Sequence, residues 1–133
     1  MAYFLAKTEP TTYSIDDLKK DKKTEWDGVR NPAAVNAIKS MKPGDKVIIY
    51  HSGKDKAVVG LAEVASTARP DPNDDRSWVA DFKYVAHAKK PVTLKEIKDS
   101  HKFDDFALVR MGRLSTMPAP DAFWTWLQKQ GAF

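Results

Sequence analysis

A mixed α+β fold, with a small closed or nearly closed sheet and short helices around it, is what this sequence predicts. Three observations carry that expectation. Apolar stretches of strand length recur, yet they do not alternate with helices in the regular manner of parallel βαβ units. Several helix starts carry their own capping residues, and the helices they open are short. Gly60 falls inside an otherwise strong strand, where a bulge or bend lets a barrel close.

The elements follow in order. Tyr3 to Thr8 reads as a first strand that Pro10 ends. Ser14-Ile15-Asp16-Asp17 has the form of a helix start, with Ser14 as N-cap and an acidic residue three positions on. That helix fades into the solvated charge run Lys19 to Lys23. Asn31-Pro32 marks a second start, because Asn caps and Pro suits the first helical position. Ala34, Val35, Ile38 and Met41 then recur at helical spacing, and Pro43-Gly44-Asp45 turns the chain. Lys46–Tyr50 and Ala57–Val64 read as the two strands of a hairpin.

Arg69 to Asp75 is a turn-rich surface loop. After it, Trp78, Ala80, Phe82 and Tyr84 alternate with Val79, Asp81, Lys83 and Val85, the pattern of a half-buried strand with one aromatic side. Thr93-Leu94-Lys95-Glu96 repeats the capping-box pattern and opens a short helix. Phe106 to Met111 is compatible with a further strand. Pro118-Ala119-Pro120 precedes a terminal helix in which Phe123, Trp124 and Leu127 share a face, and Gly131 ends it.

Composition narrows the function classes. A chain of 133 residues is long enough for one domain with its own core, expected over 1–133. Hydrophobic residues make up 42% and charged ones 30%, ordinary for a soluble protein. Aromatics at 11%, four of them Trp, leave rings to spare for recognition as well as packing. The absence of cysteine removes disulfides, thiolate zinc sites and cysteine nucleophiles together. Lys7 and Glu9 come too soon for a secretory segment, and no apolar run approaches the ~20 residues of a membrane span. A cytosolic protein without a membrane partner is expected. The net charge of +4 and pI near 9.2 lean toward polyanions.

Enzyme signals are thin. His51, His87 and His101 lack the paired spacing of a zinc site. His51 and Ser52 are adjacent on a strand and so point to opposite faces, which disfavours a relay between them. Asp16-Asp17 and Asp74-Asp75 are explained by a helix start and a loop, and no Gly-rich phosphate loop is present. No cofactor is expected.

The segment from Thr24 to Asn31, with Tyr50-His51-Ser52-Gly53 after it, is more informative. Core packing is the commonest fate of a Trp, but Trp26 stands between Glu25 and Asp27-Gly28, a polar and flexible context. A stacking face beside Arg30 and the Asn31 helix N-terminus, where free N–H groups meet an anion, suits a nucleotide. A structural bridge from Arg30 to Asp27 or Glu9 is the competing reading. Arg110 and Arg113 flank Met111-Gly112 and can grip phosphates bidentately, or tie this segment to the acidic loops, the role slightly favoured for Arg113. Lys89-Lys90, Lys95, Lys98 and Lys102 read as solvated faces that can add backbone contacts.

Together these strings resemble the EVE domain family, over nearly the whole chain. The resemblance begins at Phe4-Leu5-Ala6-Lys7-Thr8-Glu9-Pro10. It continues through Trp26-Asp27-Gly28-Val29-Arg30-Asn31, Met41-Lys42-Pro43-Gly44-Asp45 and Tyr50-His51-Ser52. It ends with Val59 to Val64 and Arg113-Leu114-Ser115-Thr116-Met117-Pro118. It implies a PUA-like mixed β pseudo-barrel with short helices packed around it, and kinship with YTH domains, which cage a modified adenine. It also implies a module that reads modified bases in nucleic acid, especially modified cytosines in DNA, with RNA as the other partner. Carried across, Trp26 is a stacking wall, and Lys7 and Thr8 contact the base edge or its phosphate. Tyr50 and Ser52 close the other side, with Arg30 and Asn31 near the mouth. Phe4 stands where the family usually has Trp, and Pro32-Ala33-Ala34-Val35 replaces the commoner Tyr-Gln-Ala-Arg, so a smaller or less basic pocket is expected.

Magnitudes bound such a reader. Drawing a base from a duplex costs a few kcal/mol and stacking on one aromatic returns ~1–3 kcal/mol. A buried methyl adds only about 0.8 kcal/mol, roughly fourfold in affinity. The expectation is therefore a non-enzymatic reader of a modified base, with weak, salt-dependent binding. The rival readings are an enzyme acting on a nucleotide through His51 or an Asp, and a partner-binding scaffold.

Overall fold

The computed structural model describes residues 1–133. Seven strands form one sheet in the order β2-β6-β4-β3-β1-β7, with the two-residue β5 pairing β6. β1 (Tyr3–Thr8) runs parallel to β3 (Lys46–His51) and antiparallel to β7 (Thr116–Ala119). β3 and β4 (Ala57–Val64) make the expected antiparallel hairpin, and β4 pairs along the long β6 (Trp78–Thr93). β2 (Lys23–Trp26) lies on the far edge of β6, and β5 is Arg69–Pro70. The mixed α+β architecture is therefore the predicted one. Because β2 and β7 each have one partner only, the ladder stops short of closure.

Curvature comes from register shifts at Ile49/Tyr50, Val58/Gly60 and Leu61/Ala62. Gly60 is one of these irregularities, and its missing side chain has a packing reason. A Cβ there would collide with the side chain of Ile15 and approach the Ala86 carbonyl at 2.9 Å. Ile15 thus plugs the bend, carried by α1 (Ile15–Asp21), whose Ser14/Asp17 capping box forms as expected. Leu5, Ile48, Ile49, Val58 and Phe82 are all buried in the core, adjacent strand residues such as Ile48 and Ile49 on opposite faces of the sheet.

α2 (Pro32–Ser40) starts at Asn31, whose Oδ1 accepts the Ala33 N–H at 2.9 Å, and buries Ala34, Val35, Ala37 and Ile38. α3 (Leu94–Asp99) carries the predicted Thr93/Glu96 capping box.

Three expectations are corrected. Lys23 is exposed as expected but begins a strand, β2, since Lys23–Trp26 pair with Lys83–Ala80 across the sheet. Phe106 to Met111 is not a strand: Ala107–Arg110 form a short helix, α4, that buries Leu108. The last strand is instead β7, where Pro118 is tolerated because it lies exposed on an edge strand opposite Phe4. In α5 (Asp121–Lys129) the buried face is Phe123, Trp126 and Leu127. Trp124 turns aside to stack on Tyr3, with centroids 5.3 Å apart.

Candidate functional site

Where the ladder fails to close, the C-terminal end of β1 faces β2 across a cavity of about 400 Å³. Lys7 and Thr8 come from β1, Thr24 and Trp26 from β2, and Asp27-Gly28-Val29 from the segment after it. Tyr13 and Ser115 complete the walls from the loops before α1 and β7. Each wall thus comes from a different part of the chain, and the sheet path from β1 through β3, β4 and β6 to β2 connects them.

Trp26 belongs to both the core and the cavity. It is only 8% exposed, stacks on Phe82 with centroids 5.0 Å apart, and meets the Tyr13 ring edge-on at 6.2 Å. Tyr13 is held in turn by its hydroxyl, which donates to Asp21 at 2.8 Å. Burial first, and then the Asp21 carboxylate, push that phenol up to about 12. Thr8 Oγ1 donates to the Tyr13 carbonyl at 2.6 Å, fixing the loop to the end of β1.

Lys7 is the cation of the cavity. Its backbone N–H bonds Ser115 at 2.7 Å, while its ammonium donates to the Gly112 carbonyl at 2.9 Å and lies 5.7 Å from the Tyr50 ring centre. Burial lowers its pKa. It makes no ion pair, so its charge remains available to an anion or a carbonyl oxygen.

The segment Asp27–Arg30 is the polar rim. None of its backbone N–H or C=O groups is bonded within the protein, and the Asp27 carboxylate has no partner. Gly28, at φ +76°, takes the left-handed bend that turns this segment, and nothing lies within 4 Å of a Cβ built there. Such groups must be satisfied by solvent or by a bound polar edge.

The structure thus brings Lys7, Thr8 and Trp26 to one cavity and leaves other expected residues outside its walls. Arg30 is exposed and bonds Asp74 at 2.5 Å, an ion pair with neither of the partners considered, Asp27 or Glu9. Asn31 spends its side chain on the α2 cap. Tyr50 is buried beneath Lys7, where desolvation raises its phenol. Ser52 extends the β1–β3 ladder through its N–H to Thr8 at 2.9 Å.

Arg110 and Arg113 are exposed and unpaired, so the acidic-loop tie favoured for Arg113 does not form. His51 is structural. It is buried, its Nε2 accepts the Ile15 N–H at 3.0 Å, and its Nδ1 faces Asp55 at 3.3 Å. Both ring nitrogens are therefore committed, leaving none to act as a base.

Sequence reasoning missed Thr12, Tyr13, Thr24, Asp27 and Ser115 as cavity residues. Asp27 had a signal, an acid within the Trp-Asp-Gly string. Thr24 and Ser115 stand in the strings already quoted, whereas Thr12 and Tyr13 had no signal, because their place depends on the tertiary fold.

An EVE domain family model matches residues 2–130. The chain belongs to the EVE domain family. Among curated relatives, this EVE domain is 33% identical to mouse (Mus musculus) thymocyte nuclear protein 1, the match covering 75% of this chain and 57% of that protein. The match therefore spans little more than half the length of that relative. Among solved structures it resembles Rpa0253 from Rhodopseudomonas palustris, with TM-score 0.92 and 36% identity, covering 98% of this chain and 93% of that one. It also resembles human THYN1 protein in complex with 5-methylcytosine-containing DNA, with TM-score 0.86 and 26% identity, covering 98% of each chain.

Proposed function

We propose that this EVE domain is a non-enzymatic DNA-binding module that holds one modified base, a modified cytosine, in the cavity between β1 and β2. The observation that carries the reading is the unbonded backbone of Asp27, Gly28 and Val29 at the wall of a cavity of about 400 Å³ that Trp26 and Tyr13 also line. That volume falls within the ~300–1,000 Å³ range of small-molecule sites. The human relative solved with 5-methylcytosine-containing DNA supports the choice of ligand.

Cytosine presents an N4 amino donor beside acceptors on its pairing edge. The Asp27 carboxylate accepts from the amino group, and the free N–H groups of the rim or the Lys7 ammonium donate to the ring acceptors. The unpartnered Lys7 charge suits a partially negative carbonyl oxygen in a partly desolvated place. Trp26 and Tyr13 supply the apolar wall. Burying the modification's methyl against it is worth about 0.8 kcal/mol, so discrimination from unmodified cytosine by that term is about fourfold. Arg30, Asn31, Tyr50 and Ser52 support the walls in this scheme and do not touch the base.

The test is fluorescence anisotropy at fixed low salt with labelled strands that differ in one base: cytosine, 5-methylcytosine, 5-hydroxymethylcytosine, adenine or N6-methyladenine, in DNA and in RNA. Preference for a modified cytosine in DNA is expected, and Asp27→Ala is expected to weaken binding of that base. Equal binding to every strand, falling steeply with salt, means phosphate attraction alone and overturns the reading. Preference for a modified base in RNA would retain the pocket and replace the partner. Trp26→Ala is a poor probe of the pocket because Trp26 also stacks on Phe82 in the core, and Trp26→Phe is the better variant.

A further inference from the structure

Met111 is 49% exposed, one of three large apolar side chains so open to solvent, and the other two are Met1 and Val85. Its surroundings set it apart. It stands between Arg110 and Arg113, both exposed and without an acidic partner. The segment is held firmly from beneath. Leu108 and Leu114 are buried on either side of it, the Met111 N–H bonds Ala107 at 2.7 Å, and the Leu114 N–H bonds Met111 at 2.9 Å. Gly112, in the middle of this turn, accepts the Lys7 ammonium at 2.9 Å, and Ser115 lines the cavity. An apolar tip flanked in sequence by two cations is thus tied to the cavity wall through Lys7 and Ser115.

We propose that this turn is a wedge and clamp for duplex DNA. Met111 enters the base stack at the place vacated by the base that the cavity takes up, while Arg110 and Arg113 grip phosphates beside it. The inference rests on the reading above, that a base is drawn out of DNA into the cavity. Extraction costs stacking and pairing, and a gap left in the duplex invites the base to return. An apolar side chain inserted between base steps fills such a gap and stabilises the unstacked form. Methionine suits the task, being unbranched, flexible and polarizable, so that it adapts to an irregular slot between rings. The two guanidiniums supply charge complementarity to the flanking phosphates.

The decisive comparison is between a duplex carrying one central 5-methylcytosine and the same strand alone, by anisotropy at fixed salt. Met111→Ala is expected to weaken duplex binding about tenfold, because the wedge is lost, and to change single-strand binding less than about twofold. Met111→Leu, which keeps the apolar bulk, is expected to restore duplex binding. Asp27→Ala, a change in the cavity, is expected to weaken both. If Met111→Ala leaves duplex binding intact, or weakens both forms equally, the wedge is overturned while the base pocket stands. If neither form distinguishes 5-methylcytosine from cytosine in the unmutated protein, the pocket reading fails and the wedge falls with it.

Discussion

On the β3–β4–β6 side of the sheet, polar groups are paired with one another, whereas across the gap between β1 and β2 they are left open. Glu63 on β4 lies between Lys46 on β3 and Lys83 on β6, and the two ammonium groups hold its carboxyl below the ordinary carboxylate value. His51 uses both ring nitrogens, and the bend at Gly60 is filled by Ile15. The gap shows the opposite economy. Lys7 has no carboxylate, Asp27 has no cation, and the backbone from Asp27 to Arg30 bonds nothing in the protein. A folded chain tolerates such groups where solvent or a ligand reaches them. The contrast separates residues that hold the barrel from residues that are free to recognise something.

Trp26 is where the two regions meet, and changing it has the largest expected effect. Trp26→Ala removes a ring stacked on Phe82 and should cost about 3–5 kcal/mol of unfolding free energy, read from urea denaturation. A loss below about 1 kcal/mol would make it a pocket wall only and break the comparison at its junction. Next comes Gly60→Ala, which sets a methyl against Ile15 and the Ala86 carbonyl. It should destabilise by about 1–3 kcal/mol and leave the affinity of the folded protein for DNA unaltered, as equilibrium unfolding and anisotropy would report.

On the open side the expected pattern is reversed. Asp27→Ala should leave stability within about 0.5 kcal/mol, because the side chain bonds nothing, while weakening affinity for the cytosine-bearing strand by up to about tenfold. A change in melting temperature without a change in binding would place Asp27 among the supporting residues.

The smallest effect concerns Tyr13, whose phenol is raised from 10.0 to about 12. Because the folded value is the higher one, its contribution to stability is complete below pH 10. It is lost as the pH climbs through about 12. Tyr13→Phe should cost about 0.5 kcal/mol at neutral pH, from the lost bond to Asp21, and flatten the alkaline decline in stability. Thermal melts across that window measure both.

What the sequence made legible was mostly local. Ser14, Asn31 and Thr93 cap their helices within three residues of themselves, so each start could be read directly. Lys23–Trp26 could not, since its charged residues form a strand only by pairing with Lys83–Ala80 on β6. Phe106 to Met111 looks β-prone, yet burial of Leu108 and the bond from Met111 N–H to Ala107 make it helical. Pro118 disguised β7, whose single neighbour leaves the missing N–H harmless.

The site divided along the same line. Lys7, Thr8, Trp26 and Ser115 stand in recognisable strings, and Thr24 heads the Trp26 segment, while Thr12 and Tyr13 lie outside them and reach the cavity only through the tertiary fold. Arg30, expected near the mouth, is instead seen in an exposed ion pair with Asp74, a partner that no local pattern announced.

The central claim is that the open groups between β1 and β2 receive a modified base. NMR titration of the labelled protein with a duplex carrying one 5-methylcytosine tests it most directly. The amides of Asp27 to Arg30 and the Trp26 indole are expected to shift together and saturate, and to stay in place with a duplex of unmodified adenine and thymine. Shifts confined to surface lysines such as Lys89 and Lys90, with the rim amides unmoved, would contradict it.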